Sequence, residues 1–298
     1  MENIMSYTGE IYSLLTAVVW AFAVILFKKS GESVHPIALN YFKTFLAIIL
    51  LIPTIFLLKE QIFRNVPINE YLLLLLSGVT GIGISDTLFF KSLNLIGAGM
   101  SAIVDCLYSP FIIGLSIIFL HERLSILQLI GAFMIVSAVL TGMTRKSRGK
   151  LNKKKLFYGA ILGAMAMAFM AVSIVMIKPL LNRSPLLWVT EIRLIGGIIF
   201  LSIFLILHPS RKKIISSIHA PTNWIYTVSG SFFGAYLAMM LWLAGMKYTL
   251  ASTAAALSQT SNIFIFIFAA IFLKEKINLQ RVIAILLGVS GVFLVSFG

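Results

Sequence analysis

The segment Ile118-Phe119-Leu120-His121-Glu122-Arg123-Leu124-Ser125 returns 153 residues later as Ile271-Phe272-Leu273-Lys274-Glu275-Lys276-Ile277-Asn278. Both copies read aliphatic, aromatic, aliphatic, basic, Glu, basic, aliphatic, small polar, and each stands between two long apolar stretches. The same offset pairs Ala98 with Ala251, Ala102 with Ala255, Ile130 with Ile283, Ser137 with Ser290 and Val139 with Val292. Membrane chains made of two related halves enclose a pathway where the halves meet. Transport is therefore implied before any single side chain is weighed.

The chain must lie in a membrane. Hydrophobic residues make up 59% of its 298 residues and charged ones 11%, more apolar surface than a soluble core of this size can hide. Runs of about 20 apolar residues are long enough to cross roughly 30 Å of hydrocarbon as helices. No alternating strand pattern marks a barrel. The expected fold is all-α, with ten transmembrane helices at 9–28, 37–58, 71–93, 97–120, 125–144, 156–178, 185–207, 222–246, 250–273 and 278–297. Residues 1–144 and 156–298 form the two five-helix repeats, joined by a basic loop at 145–155. Ser125 and Asn278 suit the N-caps of the fifth and tenth helices. Glu2 and Glu10, with no base beside them, make a poor secretory signal, so the first span is expected to persist.

No glycine-rich phosphate loop is present and no length is left for a soluble catalytic domain. No cofactor or metal is expected, and energy from ATP would need another chain. Cys106, the single cysteine, reads as a small buried side chain within the fourth span. The net charge of +14 would point to nucleic acid in a soluble protein. Here seven of the 24 bases fall in Arg145–Lys155, beside lipid headgroups, so the expected partner is the bilayer and not nucleic acid. The expected assembly is a monomer or homodimer in the cell membrane.

Five spans per half turn the second copy upside down, placing Glu122 and Glu275 on opposite faces. Basic residues number six on the side of the termini and fifteen on the other. By the positive-inside rule the 145–155 loop is cytoplasmic and the termini face outward.

A charge at the bilayer centre costs roughly 2.5–3.5 kcal/mol on insertion scales, so each one needs a reason. Lys43, Asp86, Asp105, Glu191 and Arg193 fall inside spans, and Asp86 and Asp105 are the deepest. Ser101, Asp105, Tyr108 and Ser109 share one face of the fourth helix. At the 153-residue offset they match Ala254, Ser258, Ser261 and Asn262 of the ninth, beside Gln259 and Thr260. These matched polar runs read as the lining of a shared cavity, with interhelical hydrogen bonding as the competing explanation. Pro110 should bend the fourth helix or free a carbonyl there. Asp86, Phe89 and Phe90 form a stripe on the third helix, answered by Tyr236, Met239 and Trp242 on the eighth. With Trp20, they suit the aromatic wall of a small-ligand site or plain helix packing.

Ten spans in inverted halves, with a Glu turn closing the fourth helix of each, resemble the EamA type of the drug/metabolite transporter superfamily. So do Ala17-Val18-Val19-Trp20-Ala21-Phe22, Pro36 with Lys43, its echo in Pro185 and Arg193, and Gln128 with Gly131 after Glu122. Gln280 and Ala284 depart from that pattern in the second half. The resemblance covers the whole chain. It implies a secondary carrier of small organic solutes, often an exporter, working by alternating access, and it implies cytoplasmic termini, against the charge count.

An intramembrane hydrolase is the rival from another class. However, Gly83-Ile84-Ser85-Asp86 is one residue longer than the Gly-x-Gly-Asp of membrane aspartyl proteases, and the four histidines lie at helix ends or loops. A non-transporting sensor is the third reading. Asp86 and Asp105 suit an amine or a proton, and Lys43 and Arg193 suit a carboxylate. Together they fit a zwitterion such as an amino acid, with Asp86 and Asp105 as the coupling pair.

Overall fold

The computed structural model describes residues 7–120, 125–143, 153–219, 224–249 and 251–297. Glu122 with its turn, and 145–152 of the basic stretch, lie outside the described residues. Within hydrocarbon each backbone polar group must bond inside its own segment, so the apolar runs become helices. The first half holds Thr8–Ser30, Pro36–Leu57, Ile68–Ile96, a fourth helix in two pieces (Ala98–Asp105 and Tyr108–Leu120), and Ile126–Met143. The second holds Lys153–Arg183, Leu186–Leu207, Trp224–Tyr248, a ninth in two pieces (Ala251–Gln259 and Ser261–Phe272), and Leu279–Phe297. Among the described residues eight are long and apolar enough to cross a membrane, whereas the fifth and tenth carry shorter apolar stretches, Ile126–Gly142 and Leu279–Leu294. The expected ten spans thus resolve into eight plus two shorter apolar helices.

Burial is inside out, as lipid requires. Phe56, Phe133 and Leu286 are exposed, whereas Asn40, Lys43, Asp86 and Arg193 are buried. Ser125 and Gln128 form a reciprocal capping box, each side chain bonding the other's backbone N–H at 3.1 and 3.0 Å. Asn278 caps the tenth helix through the Arg281 N–H at 2.9 Å. The first helix packs on the eighth and ninth, and the sixth packs on the third and fourth. Each half therefore lends its opening helix to the other. The fifth and tenth lie along each other, and the Glu275 carboxylate accepts the N–H groups of Ala98 (2.8 Å) and Gly99 (3.2 Å), capping the fourth helix across the repeat boundary.

Serines set the register of the third helix. Ser77, Ser85 and Ser92 donate to the carbonyls of Ser173, Ala166 and Gly159 on the sixth at 2.8, 2.8 and 2.7 Å. The acceptors are seven residues apart, but Ser77 and Ser85 are eight apart. The surplus residue is absorbed by a π-helical turn, Val79–Ser85. The eighth helix has its own π turn, Ser231–Ala238, at the repeat offset to within one residue. Breaks repeat as well. Pro110 has no N–H for the Cys106 carbonyl, and the fourth helix breaks at Cys106 and Leu107. The ninth breaks at Thr260 with no proline. There the Thr260 hydroxyl bonds the Leu257 carbonyl at 2.6 Å, a back-bond that competes with the helical ladder.

Where the third and seventh helices cross, backbone meets backbone. A Cβ on Gly78 would strike the Arg193 carbonyl, and one on Gly196 would strike that of Leu75. Gly78→Val should destabilise the protein by about 1–3 kcal/mol through overpacking. Gly114→Ala, whose Cβ meets nothing within 4 Å, is the neutral control. Thermal midpoints in detergent give the comparison, and equal midpoints would remove the close crossing as a packing constraint.

Candidate functional site

A cavity of about 130 Å³ lies between the two halves. Four irregular stretches of backbone converge on it. Ser85 and Asp86 leave the first π turn, while Gly234, Ala235 and Ala238 belong to the second. Asp105 and Tyr108 flank the break of the fourth helix, and Gln259 and Ser261 flank that of the ninth.

Its first side is an ion pair. Lys43 Nζ donates to Asp86 Oδ2 at 2.7 Å, and both side chains are buried. Lys43 also lies 5.8 Å from the Phe90 ring centroid. The π turn is held by Asn40, whose amide donates to the carbonyls of Ile82 (2.8 Å) and Gly83 (3.3 Å) and to Thr87 (2.9 Å). Asn40 and Lys43 share one face of the second helix, so one helix satisfies the turn and neutralises the acid that follows it.

The opposite side is polar and uncharged except for Asp105. Asn262 donates to Gln259 Oε1 at 2.5 Å and to Cys106 Sγ at 3.5 Å, joining the two helix breaks. Asp105 forms no hydrogen bond or ion pair among the described residues. The hydroxyls of Tyr108 and Ser258 are buried without partners among the described residues. Trp20 lines the cavity, 5.8 Å from the Phe89 ring, and Trp242 lines it from the eighth helix.

The structure brings Trp20, Lys43, Asp86, Phe89, Asp105, Tyr108, Trp242, Ser258, Gln259, Ser261 and Asn262 to this cavity. Five other expected residues lie off the wall. Phe90 packs on Phe27 at 4.9 Å. Tyr236 turns outward to Thr54, with 2.6 Å between hydroxyls. Ser101 and Ser109 are buried, their hydroxyls unpartnered among the described residues. Arg193 lies against the Trp242 ring, 5.7 Å from its centroid. Thr16, Ser85, Met167, Met170, Gly234, Ala235 and Ala238 line the cavity without having stood out in the sequence. Met167 and Met170, one turn apart on the sixth helix, are adaptable apolar surface, and a methionine among alanines carries no signal of which way it points.

The profile of the EamA-like transporter family matches residues 7–143 and again 157–297. The chain belongs to the EamA-like transporter family. An uncharacterized transporter of Archaeoglobus fulgidus is 28% identical over 95% of both chains. Another, of Methanothermobacter thermautotrophicus, is 23% identical over 95% of this chain and 84% of its own. A solved structure titled only as the crystal structure of a protein superposes with a TM-score of 0.68 over 98% of this chain and 96% of its own. At 17% identity it shares the fold alone. The EamA-like chain is a multi-pass membrane transporter.

In this EamA-like cavity, Asn262→Leu should weaken solute affinity about tenfold, the value of one to two lost polar contacts, and leave insertion intact. Binding isotherms and the level of protein in membranes are the two readouts. Failure to accumulate would instead assign the Asn262–Gln259–Cys106 group to helix association.

Proposed function

We propose that this protein is a secondary carrier for a small organic metabolite in the cytoplasmic membrane, working by alternating access and acting as an exporter coupled to protons. The observation that carries the reading is the convergence of two π turns and two helix breaks on one polar and aromatic cavity between the halves. Irregular backbone at membrane depth is tolerated where it is buried in protein or lines a cavity, and discontinuous helices around a midplane site are how inverted-repeat carriers bind solute. Aromatic walls with few polar groups suit a ligand of modest size. Asp105, without a hydrogen-bond or ion-pair partner among the described residues, suits an amine or a proton. An amino acid is the substrate that these groups fit best.

The test begins with a thermal-shift screen of purified protein against fractionated metabolite pools. Stabilising fractions are then loaded, isotopically labelled, into proteoliposomes. Protein-dependent efflux that saturates is the expected result. A ligand that binds tightly yet shows no protein-dependent movement would replace the carrier with a sensor.

A further inference from the structure

The second half holds a buried cation that no carboxylate among the described residues pairs with. Arg193 is 1% exposed, its Nε and Nη1 have no hydrogen-bond partner among the described residues, and Nη2 meets Ser173 Oγ at 3.4 Å. The ion pairs among the described residues are Lys29–Glu32, Lys43–Asp86, Arg183–Glu70 and Arg281–Glu275, and Arg193 is in none of them. Glu191 lies two positions away on the same helix, where side chains do not face each other. A buried charge without a counter-ion is strongly disfavoured, so the site calls for one from outside the chain.

The repeat shows what is missing. Lys43 stands as far from the helix start at Pro36 as Arg193 does from Leu186. Lys43 is neutralised by Asp86, the residue that resumes α-helix after the first π turn. The residue that resumes it after the second is Met239, which lines the cavity and carries no charge. The first half supplies its own carboxylate, and the second leaves that place to a thioether. Around it stand donors without acceptors. Tyr108 and Asp86 are both close enough to Arg193 to interact with it electrostatically, but Asp86 is held by Lys43. The Tyr108 hydroxyl, like that of Ser258, is buried on the cavity wall without a partner among the described residues.

We propose that the transported solute carries a carboxylate or similar oxyanion, and that this group takes in the second half the place Asp86 holds in the first, bound by Arg193 with Tyr108 and Ser258. This deepens the carrier reading and rests on it. Trp242 both lines the cavity and packs on the guanidinium, so its side chain must shift for the oxyanion to reach Arg193. Its stacking on Arg193 is the weaker interaction, and a charge-assisted pair with an oxyanion displaces it.

Acetate, a minimal carboxylate probe that needs no knowledge of the full solute, tests the assignment. Thermal midpoints of the purified protein are measured against acetate, chloride and methylammonium at equal ionic strength, for the parent, Arg193→Gln and Arg193→Lys. A ligand that binds the folded state raises the midpoint. Acetate should raise that of the parent more than chloride or methylammonium does. Arg193→Gln should need at least about tenfold more acetate, the loss expected for a hydrogen bond to a charged group, and Arg193→Lys should fall between. Should Arg193→Gln fail to accumulate, Arg193→Lys and Tyr108→Phe carry the test, each with a weaker acetate response. No acetate response in the parent, or an unchanged response in the variants, overturns the proposal. Chloride acting as well as acetate overturns it too, since the site would then serve a small inorganic ion. Proteoliposome flux separates the two readings. Flux with an acetate response independent of Arg193 leaves the carrier standing without this site, and an Arg193-dependent response with no flux does the reverse.

Discussion

Lys43→Met should strip the protein from membranes, or lower its stability by about 3–5 kcal/mol, because it strands the Asp86 carboxylate in the interior. The 2.7 Å pair is buried on both sides, and Asn40, the nearest amide on the same helix, is already committed to the π turn and Thr87. Removing both charges is a different experiment. A buried pair replaced by apolar groups of similar volume is often neutral or stabilising, so Lys43→Met with Asp86→Leu should recover most of the lost protein. Quantitative blotting of membranes and midpoints in detergent measure both. If the single variant is as stable as the parent, the pair is not a structural unit and Lys43 is free to engage solute. If the double variant recovers stability and still transports, neither charge belongs to the mechanism.

What could be read from the sequence follows from what lipid enforces. Hydrocarbon tolerates only internally bonded backbone, so helix positions follow from apolar runs, and Glu122 with Glu275 marks the two halves. Pro110 announces the break of the fourth helix because a missing N–H is visible in one letter. The matching break in the ninth is not, since Thr260 achieves it through a side-chain bond to Leu257. The π turns were hidden for a deeper reason. The first arises from a mismatch between the spacing of Ser77 and Ser85 and that of their acceptors on the sixth helix, and that register exists only once the two helices pack. The site divides in the same way. Asp86 and Asp105 declared themselves by depth, because a charge in hydrocarbon needs a reason. Which flank of a helix faces the cavity depends on its rotation. Phe89 therefore lines the wall while Phe90 packs on Phe27, and Tyr236 turns toward Thr54.

Asp105→Asn should leave solute exchange intact and abolish accumulation driven by a pH gradient. Of the two deep acids, Asp86 is committed to Lys43, whereas Asp105 faces the cavity with no partner among the described residues. An unpaired carboxylate within low-dielectric surroundings is where protonation changes the electrostatics most. Its counterpart at the repeat offset is Ser258, so the other half cannot substitute for it. One proton exchanged per solute across a gradient of one pH unit can sustain about a tenfold concentration ratio, since 1.4 kcal/mol is a factor of ten. The parent should approach that ratio in proteoliposomes and the Asn variant should stay near unity, with both equilibrating labelled solute across the membrane. Asparagine keeps the size and hydrogen-bonding reach of the side chain and removes the titration, so loss of accumulation without loss of exchange isolates the proton. Equal accumulation by parent and variant would free Asp105 of coupling and leave it as the group that meets the solute's amine. In that case exchange itself should weaken in the variant for amine-bearing solutes, and the same vesicles report it.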